Sequence, residues 1–343
     1  MTPSEKAPGV WVIPTTADEV RDLMGACATN LTEAELQSTR SFLVPVGVEP
    51  SISDYMNSKC LGHLIEQIDA QWITELLSGG NLVTYFQPIL PVADPSEVFG
   101  YECLTRGLGN DESVITPDRL FSAARGTGQL ALLDETARMT AIETASRIGL
   151  DTMIFINFSP ASSSETMHSL QRTLRAILAS DISPDRFVFE VVESEKIEDL
   201  DGLMYSLDCF RDLGSRVALD DLGSGYSSLN LLSQIKPDFV KLDIGLARNI
   251  DRDSYKSRIA ETILHLCRDL DVRTVLEGVE TPGEWRWAQA SRVDYVQGFL
   301  FAQPEADPPQ PRLLDSQGEP YETSAETGET DDPMTMAPVL RNS

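Results

Sequence analysis

RVALDDLGSGYSSLNLLSQIKPDFVKLD, residues 216–243, contains two short apolar runs that each end in a chemically useful residue. RVALDD closes on Asp220 and Asp221, and DFVK closes on Lys241. Moving outward, five more runs end the same way: VFGYECL around Glu102, MIFIN at Asn157, FVFE at Glu190, RTVLE at Glu277 and DYVQ at Gln297. Short apolar runs bounded by turn residues read as buried strands. Helical patterns recur between them: Pro117–Arg125 with Thr116 as cap, Asp134–Ile148 before Gly149, Glu165–Leu178, Gly202–Leu213 before Gly214, Tyr255–Leu270 and Pro282–Ala290. Strands alternating with helices over roughly 225 residues describe an α/β protein, a TIM-like (β/α)8 barrel whose βα loops open at one mouth. That mouth would gather five carboxylates, two amides and a lysine.

Carboxylates about 4 Å apart repel by about 1 kcal/mol per pair even in water, so a cluster of this kind calls for cations. Glu, Asp and Asn offer only oxygen ligands, which favours Mg²⁺ or Mn²⁺ over zinc. The adjacent Asp220 and Asp221 suit a bridge between two divalent ions, and such a pair suits phosphodiester hydrolysis. Lys241 then sits beside the attacking water, either as a base or as an orienting cation, and the residues leave both roles open. Taken singly, each acid reads more readily as a solvated loop residue or a helix cap, and Asp221 before Leu-Gly-Ser-Gly as a turn residue. Seven such ends in one register carry the reading together. An enolase-type barrel gathers similar groups, but the glycine-spaced loop after Asp221 and Arg106 close to Glu102 favour a phosphate-bearing substrate.

The 343 residues are 41% hydrophobic, enough for one large core and a smaller appended unit. A net charge of −27 speaks against a nucleic-acid polymer or an anionic membrane as partner. There is no apolar stretch near the ~20 residues needed to insert in a membrane, and MTPSEKAPGVWVIP lacks the features of a secretion signal. The expected compartment is the cytoplasm. Five scattered cysteines read as reduced thiols, and His63, His168 and His265 as surface or packing residues.

Residues 1–60 form a small, mainly helical N-terminal extension of unassigned role. Capping-box patterns stand at Thr16/Glu19 and Thr32/Glu35, and Pro45, Gly47 and Pro50 interrupt the chain. Residues 61–304 are the barrel. Within them 61–79 reads as one amphipathic helix leading to a first strand, LVTYFQPI. Residues 305–343 read as a disordered, proline-rich acidic tail, with nine acids against two arginines.

YFQPI (85–89), GYECLTR (100–106), INFS (156–159), FEVVES (189–194), DDLGSGYSSL (220–229), PDFVKLD (237–243), LEGVET (276–281) and DYVQGFLFAQP (294–304) occur in the order that resembles the EAL-domain cyclic di-GMP phosphodiesterases. The resemblance implies a modified (β/α)8 barrel with an antiparallel first strand, and hydrolysis of cyclic di-GMP to linear pGpG with two Mg²⁺ or Mn²⁺ ions. It implies metal ligation by Glu102, Asn157, Glu190, Asp220 and Asp221. Lys241 would contact the water, Glu277 would help hold metal or water, and Gln297 would lie near the nucleophile. Gln87, Arg106, Asp243 and Glu280 would contact the dinucleotide. Glu193 and the loop holding Gly223, Ser224, Gly225 and Tyr226 would couple a homodimer to the metal site. In a bacterium such an enzyme lowers a second messenger and favours motility over biofilm. The alternative implied is a barrel that binds cyclic di-GMP or a protein partner without hydrolysis. Among the departures from the pattern, Cys103 should face the helices, while Thr105 and Gly107 replace the more usual Leu and Trp beside Arg106, a change expected to loosen contacts to the bases.

Overall fold

In the computed structural model the described residues are 4–7, 10–13, 15–45, 48–70, 72–109, 112–159, 166–192, 199–223 and 228–312. The apolar runs become eight barrel strands: β1 (Leu82–Pro91), β2 (Gly100–Leu108), β3 (Met153–Asn157), β4 (Phe187–Val192), β5 (Arg216–Leu222), β6 (Phe239–Leu242), β7 (Arg273–Leu276) and β8 (Tyr295–Val296). Hydrogen bonds run from β1 through β8, β7 and so on down to β2, and β2 closes back on β1. Strands β2 to β8 are mutually parallel. β1 is antiparallel to both neighbours, as the resemblance implies. The reason lies in the connection: only residues 92–99 join β1 to β2, too few for the dozen or more that a parallel crossover needs.

Two layers of side chains fill the barrel. At its base Ile89, Phe155, Val188, Ala218, Phe239 and Val275 pack with Phe99 and Tyr295, whose rings stack at 4.0 Å. Strand side chains return to the same face every second residue. Two positions from each of these except Phe99 stands a polar residue: Gln87 from Ile89, Asn157 from Phe155, Glu190 from Val188, Asp220 from Ala218, Lys241 from Phe239, Glu277 from Val275 and Gln297 from Tyr295. The apolar plug is therefore the floor of the polar site. Outward-facing residues, Cys103 among them, join the helices in the main core.

The N-terminal unit holds α1 (Ala17–Asn30), α2 (Glu33–Ser38) and α3 (Ile52–Met56), with short antiparallel ladders at Ser4–Ala7/Val10–Val12 and Arg40–Ser41/Lys59–Cys60. Both predicted capping boxes form, and Ser51 and Asp54 make a third. The stretch read as one helix is two, α4 (Leu61–Asp69) and α5 (Trp72–Ser78). Leu61, Ile65 and Ile68 of α4 pack with Met24, Leu23 and Leu36 of the extension. Ile73, Leu76 and Leu77 of α5 pack with Leu82 and Leu120 on the barrel. One continuous apolar stripe thus serves two cores, and a straight helix cannot face both.

Around the barrel run α6 (Pro117–Thr127), α7 (Leu130–Arg147), α8 (Thr166–Ala179), α9 (Leu200–Leu213), α10 (Ser228–Ile235), α11 (Ile244–Ala247), α12 (Ser254–Asp269) and α13 (Pro282–Ser291). Among the described residues no helix is long and apolar enough to cross a membrane.

The start of the stretch read as a disordered tail is bound to the barrel. The amide of Phe86 donates to the carbonyl of Glu305 (2.7 Å) and the amide of Glu305 to the carbonyl of Phe86 (3.2 Å). The Tyr101 hydroxyl donates to the carbonyl of Pro309, and the Arg312 amide to that of Phe301. Because β8 is only two residues long, it leaves part of the β1 edge unpaired, and residue 305 satisfies that backbone. The rest of the tail, 313–343, lies outside the described residues.

Candidate active site

At Asp220 and Asp221 strict alternation fails. A strand should turn the second of two adjacent carboxylates toward the helices. Here the pairing of β5 with β6 shifts between Leu219 and Leu222, and Asp221 takes a φ of 58°. A bulge of this kind re-aims a side chain, and Asp tolerates the left-handed region better than most residues. The Asp221 amide donates to Asp220 Oδ1 at 2.9 Å. As a result Asp220, Asp221 and Glu277 bring oxygens within 4.8 Å of one another, as do Glu102, Glu190 and Asp220. Asp220 is common to both groups.

Lys241 is fully buried at the centre. Its Nζ lies 2.7 Å from Glu277 Oε1, 2.8 Å from Glu190 Oε1, 3.1 Å from Asp220 Oδ1 and 3.5 Å from Glu102 Oε2. Burial works against its ammonium, but Asp220, Glu102, Glu190 and Glu277 outweigh it and hold the pKa well above the ordinary lysine value. Burial pushes Glu190 well above the carboxylate range; Lys241 opposes this, and Glu102 and Asp220 add to it. Glu277 is raised likewise, by burial and then by Asp220. Asp221 is raised to about 6, by burial and then by Asp220.

Glu102 is fixed from β1 and β8. Gln297 Nε2 donates to Glu102 Oε2 at 2.6 Å and to Gln87 Oε1 at 3.0 Å, while Gln87 Nε2 donates to the Ala302 carbonyl at 3.2 Å. Both ends of the buried Gln87 amide are thus engaged inside the protein, in a residue expected to face the dinucleotide. Asn157 ends β3, half-buried, in register with Glu190 on β4.

Arg106 stands on the same face of β2 as Glu102, four residues on, about 13 Å nearer the rim at ~3.3 Å per residue. Its guanidinium lies over the Tyr85 ring at 5.3 Å, and Nη1 donates to the Thr105 carbonyl. Gly107 faces the other way. A Cβ there would lie 2.9 Å from Leu76 Cδ1 and 3.1 Å from Leu120 Cδ2, so its missing side chain belongs to helix packing and not to the contacts with the bases. Asp243 caps α11, accepting from the Gly245 amide at 2.6 Å, and its charge reaches Asp221. Glu280 is exposed and paired with Arg248 at 3.4 Å, outside the carboxylate cluster. Glu193, Ser224, Gly225 and Tyr226 lie outside the described residues. Gly223 has a φ of 112°, and a Cβ on it would stand 2.5 Å from Leu246 Cδ1.

Two contributors were not singled out in the sequence. Tyr85 forms the shelf for Arg106. The buried Glu284 accepts from the amides of Asn249, Glu280 and Thr281, tying the loop after β7 to the end of α11. The Thr281-x-x-Glu284 capping pattern was a readable signal for it.

Residues 70–304 match the family model described as EAL domain. The chain is 28% identical over 215 residues to the blue light- and temperature-regulated antirepressor BluF of Escherichia coli (strain K12), covering 62% of this chain and 52% of that protein. It is 28% identical over 235 residues to the cyclic di-GMP phosphodiesterase NbdA of Pseudomonas aeruginosa, covering 68% and 30%. The chain spans about half or less of the length of these curated relatives. A solved structure of a standalone EAL protein from Vibrio cholerae O395, in its c-di-GMP bound form, matches with a TM-score of 0.58 and 34% identity, over 67% of this chain and 95% of that one.

Proposed function

The chain belongs to the EAL domain family, and from that premise we propose that it hydrolyses cyclic di-GMP to linear pGpG with two divalent cations, Mg²⁺ or Mn²⁺, at the barrel mouth. Glu190 carries this reading. It is fully buried, its Oε1 meets Lys241 Nζ at 2.8 Å while its Oε2 has no hydrogen-bond partner among the described residues, and Glu102 and Asp220 crowd it. A buried carboxylate of that kind costs several kcal/mol unless cations share its charge, and among the described residues Lys241 alone faces four carboxylates. The donor set is all oxygen, which fits a hard cation.

Glu102, Asn157, Glu190 and Asp220 are the proposed ligands of one ion, and Asp220, Asp221 and Glu277 those of the other. When bound, such ions polarise phosphoryl oxygens and lower the pKa of water. Lys241 orients the attacking water, and Glu277 at 2.7 Å fixes the lysine. Gln297 and, behind it, Gln87 set the position of Glu102. Arg106, pre-ordered on Tyr85, offers a planar fork to a phosphate oxygen. Asp243 and Glu280 are proposed as further contacts to the dinucleotide. A homodimer is proposed through the loop after Asp221, supported by the exposed apolar side chains of Leu229 on α10, Ile244 on α11, and Tyr255 and Ile259 on α12.

Similarity to an antirepressor favours a second reading, in which the barrel acts on a partner without hydrolysis. The full set of carboxylates converging on Lys241 favours the enzyme. Incubation with cyclic di-GMP and Mn²⁺, followed chromatographically, tests it: the expected product is linear pGpG, absent with Glu102→Ala. Binding of cyclic di-GMP with no pGpG would establish the second reading.

A further inference from the structure

Both residues that follow Asn157 are anchored, one to the barrel and one to a buried charge network that the proposed chemistry does not use. The Phe158 amide donates to the Glu190 carbonyl at 2.8 Å. The Ser159 amide donates to Asp134 Oδ1 at 3.2 Å. Asp134 Oδ2 in turn pairs at 2.5 Å with Nη1 of Arg138, one turn along α7. Arg138 is buried, and its fork is completed from α8: Nε donates to Thr173 Oγ1 at 3.0 Å and Nη2 to Ser169 Oγ at 2.9 Å. Its guanidinium carbon lies 5.0 Å from the centre of the Phe158 ring, which stands edge-on to Phe210.

A buried ion pair is poor evidence for stability, since apolar residues of equal volume often do as well or better. This one ends on a backbone amide two residues from a proposed ligand, and outer partners of that kind orient the ligands they touch. We propose that Asp134 and Arg138 are positioning residues for Asn157, fixing the turn from which it serves the cation site. The proposal rests on the metal-site reading above.

The test measures Mn²⁺ dissociation constants of the full chain by electron paramagnetic resonance of free Mn²⁺. It compares wild type, Asn157→Ala, the pair Asp134→Leu/Arg138→Met, and all three changes together, with thermal melts in chelator as a check of folding. The pair should melt cooperatively near wild type yet bind Mn²⁺ about 10-fold or more weakly, the usual loss for an outer partner. Adding Asn157→Ala to it should then cost little more, since coupled residues are not additive. Wild-type Mn²⁺ affinity in the pair, alongside weakened binding in Asn157→Ala, would overturn the proposal and leave the metal reading standing. Unchanged binding in Asn157→Ala would remove the ligand role and the proposal with it. Should the pair not fold, Arg138→Lys and Asp134→Asn keep the volume: a fall in Mn²⁺ affinity in either supports the proposal, and wild-type affinity in both overturns it.

Discussion

Replacing Lys241 with Met keeps the length of the side chain and deletes the one cation among the described residues within 3.5 Å of Glu102, Glu190, Asp220 and Glu277. Removing one partner of a buried ion pair costs about 3–5 kcal/mol, because the remaining charge is left uncompensated. For a domain of this size each kcal/mol is worth about 2–4 °C, so melting in chelator should fall by roughly 6–20 °C near pH 8. The loss should shrink on acidification. Burial already raises the pKa values of Glu190 and Glu277, and losing the ammonium raises them further, so the folded variant takes up protons that the unfolded chain does not hold. Stability gained that way is present at low pH and lost as pH rises through the folded-state values. Saturating Mn²⁺ should return much of the lost stability, while kcat stays at least about 100-fold down because the water loses its orienting group. The assay is a set of melts from pH 5 to 8, with chelator and with Mn²⁺, beside a pGpG time course. A drop in melting temperature that is the same at every pH and untouched by Mn²⁺ would refute the reasoning.

For the wild type, Mn²⁺ should bind more tightly as pH rises from 5 to 7 and should release protons, because Asp221, raised to about 6, and Glu190 and Glu277 must deprotonate to ligate; heats of binding independent of the buffer's ionisation enthalpy would contradict this. Gln87→Leu should lower kcat more than it raises KM, and destabilise by about 1–3 kcal/mol by leaving polar partners unmet; a rise in KM alone would return Gln87 to a direct substrate contact. Gly298→Ala should unfold or inactivate the protein, since a Cβ there meets the Val279 backbone, which cannot step aside as a side chain can; near-normal melting and activity would show that the loops after β7 and β8 are not packed as described. Deleting residues 305–343 should cost about 2–6 kcal/mol for the four hydrogen bonds lost, whereas deleting 313–343 should leave the melting temperature within a few degrees.

The barrel was readable because seven of its strands are short apolar runs with a chemically useful polar residue at or near the end. The period of two then stacks a polar layer on an apolar floor, which is why Glu102, Glu190, Asp220, Lys241, Glu277 and Gln297 converge as expected. The direction of β1 was expected from the family resemblance alone, and the short connection 92–99 supplies its physical reason. Helices α10 and α11, with eight and four residues, are too short to show a period. The break between α4 and α5 was hidden because the apolar stripe runs on while the surfaces it meets change. Arg138 reads as an ordinary mid-helix arginine, and it is buried only because Ser169 and Thr173 arrive from α8. The internal engagement of Gln87 depends on Ala302, 215 residues away, a contact that no local pattern announces.

A crystal of the protein grown with Mn²⁺ and measured at a wavelength where manganese scatters anomalously tests the two-cation site most directly. The expected result is two peaks, one among Glu102, Asn157, Glu190 and Asp220 and one beside Asp220, Asp221 and Glu277. A map with no peak in the carboxylate layer, or with manganese only at the protein surface, would contradict it.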